Sequence, residues 1–189
     1  MAHHTAAPTT PLLPPLLGPA RRREEPEPPD TVTAWLAGAH PQPERVLRHW
    51  DEGHDELMPL GGRFAAVRVP GHIMHTAAGD ASPEAVAALA RDILRGPLIT
   101  GMYAEQRTYW ALVPSRAHVY WPSYLTDTPH LGTGSYLNMP PPSCTTPPTE
   151  AELPTPYWVT SPRYRYDLCS REQVFNVIIR VTSRDGGTT

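Results

Sequence analysis

Histidines, carboxylates, cysteines and a glycine-rich segment are the residues of this chain with types suited to chemistry, and their spacing decides what they can do. His72 and His75 form HxxH, and His49 and His54 flank the acidic run Asp51, Glu52, Asp55 and Glu56. A zinc site wants three or four ligands in a compact set, as in HExxH or paired cysteines. The HIMH segment has neither the glutamate nor a third ligand nearby, so no metal and no other cofactor is expected. Two-metal phosphoryl chemistry needs neighbouring carboxylates on a strand to bridge the ions. The acids of WDEGHDEL read instead as a solvated helix end. No serine sits in a GxSxG context, and Cys144 and Cys169 form neither a CxxC nor a local pairing with histidine. The segment LGTGSYLNMPPPSC, residues 131–144, has the look of a phosphate loop but not its parts. A dinucleotide fingerprint requires GxGxxG at a strand-to-helix turn, and a P-loop requires GxxxxGK[ST]. Gly132 and Gly134 give only GxG, the chain has no lysine, and Pro140, Pro141 and Pro142 bar a helix that would receive a phosphate. The glycines are expected to let the backbone turn or approach another segment.

Binding is better represented than catalysis. Eleven Tyr and Trp residues lie between Tyr103 and Tyr166, with Arg107, Arg116, Arg163 and Arg165 among them. On strands, alternate members face opposite sides, so some must be core while others are available to stack on bases or anchor a partner.

The elements that would position these residues follow from periodicity and punctuation. TVTAWLA and PERVLRHWDE read as short helices, the second with Val46, Leu47 and Trp50 on a packing face. A Gly-Gly turn then feeds a strand over Phe64–Val69, whose alternation suggests burial on one side. SPEAVAALARDILRG, residues 82–96, is the clearest helix, with Ser82 as cap, Pro83 at the first position and Glu84 near the positive end. Its apolar stripe is Val86, Leu89, Ala90, Ile93 and Leu94, and Gly96-Pro97 stops it. PLITGMY and TYWALVP form a hairpin across the four residues AEQR, and AHVYW is placed as a continuation of the sheet. GSYLNM and YWVTS are two more strands around a proline-rich loop. Ser170 and Gln173 make a capping box that favours a C-terminal helix over a strand for VFNVIIRV.

Composition bounds the rest. Residues 1–30 hold eight prolines and read as a disordered, polyproline-like arm, in which Arg21-Arg22-Arg23 and Glu24-Glu25 form a charge block typical of a solvated linker. Residues 31–182 make one α+β domain, with a mixed or mostly antiparallel sheet and flanking helices, and residues 183–189 a flexible tail. No run of eighteen apolar residues exists, so no membrane association is expected, and two isolated cysteines suit a reducing cytoplasm. All 16 basic residues are arginine, against 19 acids, for a net charge of −3. From Glu44 onward the count is 13 Arg against 15 Asp and Glu, which argues against strong nonspecific grip on duplex DNA while leaving room for a local arginine patch.

The order of blocks carries a resemblance. MPLGGRFAAVRVP, GPLI, TYWALVP, LGTGSYLNMPPPS and YWVTSP resemble a group of small actinobacterial proteins that in turn look like the N-terminal domain of bifunctional DNA primase/polymerases. The similarity spans about residues 45–170, and Gly134, Tyr136, Pro141, Pro142, Ser143 and Trp158 fit its most specific block. The family's chemistry rests on acids on the first strand, a histidine on the middle hairpin and an aspartate before the glycine segment, which together hold metal and nucleotide. Here Ala65 and Ala66, Thr108 and Tyr109, and His130 and Leu131 stand at those places, with Asp127 several residues early. The resemblance therefore implies a primase/polymerase-like fold with a degenerate active site and no catalytic residues. It implies a binding or regulatory protein that contacts a nucleic acid, a nucleotide or a protein partner, and the residues expected to make that contact are Arg68, Arg107, Tyr109, Arg116 and Tyr136. Two rivals are an active metal-dependent nucleotidyltransferase using Asp51, Asp55 or Asp127, and a protein-interaction subunit using loop 140–156 and the aromatic edge.

Overall fold

The segment Phe64–Pro70 sets the layering of the fold. In a computed structural model that describes residues 31–149 and 155–185, its side chains alternate between two separate apolar cores. The arm expected over residues 1–30 lies outside the described residues, as do residues 150–154 and 186–189. Ala65, Val67 and Val69 enter one core, and Phe64 and Ala66 enter the other. The expectation of one-sided burial is thus corrected. This strand, β2, is buried on both faces because each face of its sheet is covered.

Among the described residues seven strands form two antiparallel sheets. The larger has the order β5 (His130–Leu131), β2, β4 (Gln106–Pro114), β3 (Leu98–Tyr103) and β7 (Tyr157–Thr160). The smaller pairs β1 (Glu56–Pro59) with β6 (Tyr136–Met139). One face of the larger sheet carries α3 (Gly71–Ala78), α4 (Pro83–Leu89) and α5 (Arg171–Asp185), which share a core of residues such as Ile73, Leu94, Ile178 and Val113. The other face carries α1 (Val32–Ala37), α2 (Pro43–Asp51) and the small sheet, packed through Trp35, Trp50, Met58, Leu137 and Trp158. The molecule is α+β with helices flanking antiparallel sheets. Among the described residues no helix is long and apolar enough to cross a membrane.

Local chemistry explains the ends. Thr31 Oγ1 accepts from Ala34 N at 3.1 Å, and Ser82 Oγ accepts from Ala85 N at 3.4 Å, each satisfying a free first-turn amide. Ser170 Oγ accepts from Gln173 N at 3.4 Å, and the C-terminal segment is a helix, running through Asp185 into the stretch expected as a tail. The helix from Pro83 loosens into a π turn over Ala90–Leu94, and Arg95, not Gly96, takes the left-handed conformation at φ 57°. The changed phase leaves Ile93 exposed instead of on the apolar stripe. The hairpin loop has two residues rather than four. Ala104 and Glu105, at φ 48° and 63°, make the tight turn whose twist matches the strands, and Gln106 already pairs with Tyr103. AHVYW does not extend the sheet, since residues Ser115–Tyr120 form a 3-10 turn.

Two indoles fasten the small sheet to the rest. Trp50 Nε1 donates to the Met139 carbonyl at 3.2 Å, and Trp158 Nε1 donates to the Pro140 carbonyl at 3.1 Å. Glu56 does not belong to a solvated helix end. It lies on β1, 5 % exposed, paired with Arg45 and with His49 Nδ1 at 2.6 Å. Gly61, at φ 93°, lies so close to the turn before β6 that a Cβ would stand 2.3 Å from Thr133 N. Neither cysteine is in a disulfide, and Cys169 is buried, its Sγ donating to the Pro97 carbonyl at 3.3 Å.

Candidate functional site

The face of the larger sheet that carries the small sheet is only partly covered. Phe64, Ala66, Ile99 and Leu112 pack under α1, α2 and the small sheet, while Arg68, Gly101 and Tyr103 continue the same face towards the hairpin turn. Register places Arg68 directly beside Trp110 and Ile99 on its other flank. The result is a cleft of about 500 Å³, floored by Arg68, Gly101 and Trp110 and walled by Ser135, Tyr136 and Asn138 on one side and Pro156 on another.

Its chemistry is aromatic and cationic. The Arg68 guanidinium sits 4.2 Å from the centroid of the Tyr103 ring, a cation–π contact that holds both side chains in place. Tyr103 and Tyr136 are 53 % and 60 % exposed. Trp110 is mostly buried and presents an edge; a Cβ on Gly101 would meet its ring and Pro156 at 3.4 Å, so the glycine leaves that edge uncovered. Among the described residues no carboxylate lines the cleft. At its rim Asn138 Nδ2 donates to Asp55 Oδ2 at 3.1 Å. Burial raises the Asp55 pKa, and the bond from Asn138 and the nearby His54 oppose that rise. A planar ring entering here meets two exposed tyrosines, a mostly buried indole and one guanidinium, side chains of the types that hold unpaired bases without reading sequence.

The residues expected to make contact fall in three places. Arg68 and Tyr136 come together in this cleft. Tyr109 and Arg107 point to the opposite face of β4. Tyr109 is 4 % exposed, its hydroxyl hydrogen-bonded to His75 Nε2 at 2.9 Å, so its ring is core and offers no stacking surface. Arg107 is half-buried beside α3, where its carbonyl abuts Gly71. Burial lowers the His75 pKa, and the charges of Arg107 and His72 add to that. Arg116 lies on the 3-10 turn at the far end of β4, lining a separate cavity. Tyr103 and Trp110 complete the cleft, and the pairing of Arg68 with Trp110 is the signal that singles them out of the aromatic cluster.

The dispersed acids do not meet. Asp51 ends α2 and Asp55 precedes β1, whereas Asp127 lines a cavity with His72 and Thr182 across the large sheet. His130 is on β5, and the His118 side chain is outside the described residues. Among the described residues no three His, Cys, Asp or Glu side chains are grouped to hold a metal ion. Comparison of the chain with protein-family models, with curated proteins and with solved structures finds no match.

Proposed function

We propose that this chain is a non-catalytic binding domain that holds nucleotide units, as single-stranded nucleic acid or a free nucleotide, in the cleft over Trp110. In this reading it is a cytoplasmic relative of primase/polymerase domains that keeps a sheet for grasping and lacks the carboxylates for phosphoryl transfer. The observation that carries the proposal is Arg68 stacked on Tyr103 beside Trp110, with exposed Tyr136 lining the same cleft and no acid in the lining among the described residues. Base stacking on one aromatic contributes about 1–3 kcal/mol, so Tyr103→Ala and Tyr136→Ala should each weaken binding by roughly 5- to 150-fold. Fluorescence anisotropy of a labelled oligothymidylate tests this. Saturable binding that weakens with salt and with each variant supports it, and no binding at low salt sinks it.

A second reading is favoured by Leu57, which is half exposed on β1 beside β6 and so extends the aromatic surface with an apolar residue. On that reading the surface docks a protein partner, which predicts a copurifying chain and no oligonucleotide binding. The nucleotidyltransferase reading is tested by incorporation of labelled nucleotide with Mn²⁺ or Mg²⁺, and our proposal requires none.

A further inference from the structure

At the end of the large sheet remote from the cleft, four arginines converge on a cavity of about 720 Å³. Arg63 precedes β2, Arg95 follows the π turn, Arg116 sits on the 3-10 turn after β4, and Arg171 opens α5. The chain as a whole is acidic, so this concentration is not a consequence of composition. Among the described residues Glu172 is the one carboxylate in the lining, and it is engaged by Arg171 Nη2 at 2.6 Å and by the Ser170 hydroxyl at 3.1 Å. Arg63 Nη1 donates to the Trp35 carbonyl at 3.2 Å, an uncharged acceptor. Arg95 and Arg116 have no carboxylate partner among the described residues. Like charges held around a concave surface whose described carboxylate is already engaged create a focused positive potential.

The backbone points to the same place. Four non-glycine residues among those described have positive φ, and Ala104 and Glu105 are accounted for by the hairpin turn. The other two, Arg95 at 57° and Tyr166 at 64°, both line this cavity. Glycine adopts that conformation at little cost and other residues do not. The chain instead places a guanidinium and an aromatic ring there, and strained non-glycine residues gather where a side chain has a task. Pro114, Ala117 and Leu168 supply the apolar remainder of the lining.

We infer that this cavity is a phosphate-binding site for a ligand with two or more phosphate groups, either a free polyphosphate chain or adjacent phosphates of a nucleic-acid backbone. Guanidinium forks match phosphate oxygens in pairs, and several forks around one cavity suit several linked anions. This inference stands independently of the cleft reading, because it rests on other residues at the opposite end of the sheet.

Calorimetric titration of the full chain with inorganic tripolyphosphate at low salt is the test. One saturable site is expected. Arg116→Ala and Arg95→Gly should each weaken it at least about tenfold, as loss of a charged hydrogen-bond donor does. Arg95→Gly also relieves the positive φ, so its melting temperature should hold or rise while affinity falls, which separates a lost ligand contact from a lost fold. Tyr136→Ala should bind tripolyphosphate as the unmodified chain does, whatever its effect on oligonucleotide binding. If tripolyphosphate displaces a bound single-stranded oligonucleotide, the phosphates come from a backbone; if both bind together, the source is a free polyphosphate. Tripolyphosphate uptake that is absent, or unchanged in both arginine variants, overturns the inference.

Discussion

Glu56→Gln probes how the cleft wall is held. Glu56 lies on β1, which pairs with the β6 strand that supplies Tyr136 and Asn138, and its carboxylate ties that small sheet to Arg45 and His49 on α2. Breaking a fully buried ion pair by removing one partner costs about 3–5 kcal/mol, while an exposed pair contributes roughly 0–1. Here the carboxylate is 5 % exposed but the Arg45 and His49 side chains are 42 % and 41 % exposed, so water screens much of the attraction. Glutamine keeps the volume and an acceptor for Arg45. The net loss should be about 1–2 kcal/mol, or roughly 3–6 °C in melting temperature for a domain of this size.

The pH dependence gives the sharper check. Burial pushes the Glu56 carboxyl up, but the hydrogen bond and charge of Arg45, with His49, more than offset it and leave the pKa below the ordinary 4.5. A depressed pKa means the stabilisation is complete above the unfolded value and disappears as pH falls through the folded one. Urea melts of both proteins should therefore differ at neutral pH and converge in acid, and hydrogen exchange in β1 and β6 should quicken more than in β2 or β4. Equal stability at neutral pH, or a gap that persists unchanged in acid, refutes the reasoning.

Other perturbations follow from the same geometry. Tyr109→Phe removes the hydroxyl bonded to His75 and should cost about 1 kcal/mol in a urea melt without changing oligonucleotide affinity, since the ring is core. The lowered pKa of His75 makes the folded state bind fewer protons than the unfolded one, so stability should decline as pH falls below 6.5, a slope that His75→Gln should reduce. Gly61→Ala forces a side chain into a backbone at φ 93° with Thr133 N only 2.3 Å from its Cβ, and should cost about 2 kcal/mol or more in thermal unfolding.

Much of the architecture was legible because it is local. Ser82, Pro83 and Glu84 announce a helix start through capping alone, and Ser170 with Gln173 settles a segment whose Val-Ile-Ile run suits either state. The misreadings lie where tertiary context decides. FAAVRV alternates small and large residues on both faces, so its composition does not reveal that a second layer covers it. ELMP became a strand only because YLNM, eighty residues away, pairs with it, and that burial turned Glu56 from a solvated acid into an anchor. Of the contact residues, Arg68 and Tyr136 share a cleft because β2 and the small sheet meet there. Tyr109 is core because the parity of β4, which sequence leaves open, turns its ring towards His75 while Trp110 faces the cleft. The arginine cavity assembles residues from four separate segments, beyond the reach of any local pattern.

The central claim is that the surface around Trp110 is where this protein grips its ligand. Amide chemical-shift mapping during titration with a short single-stranded oligonucleotide tests it most directly. The account predicts that the largest shifts cluster at Arg68, Gly101, Tyr103 and residues 135–138, with Tyr109 and α4 little affected. Shifts confined to the face covered by α3, α4 and α5, or spread evenly over the chain, would contradict it.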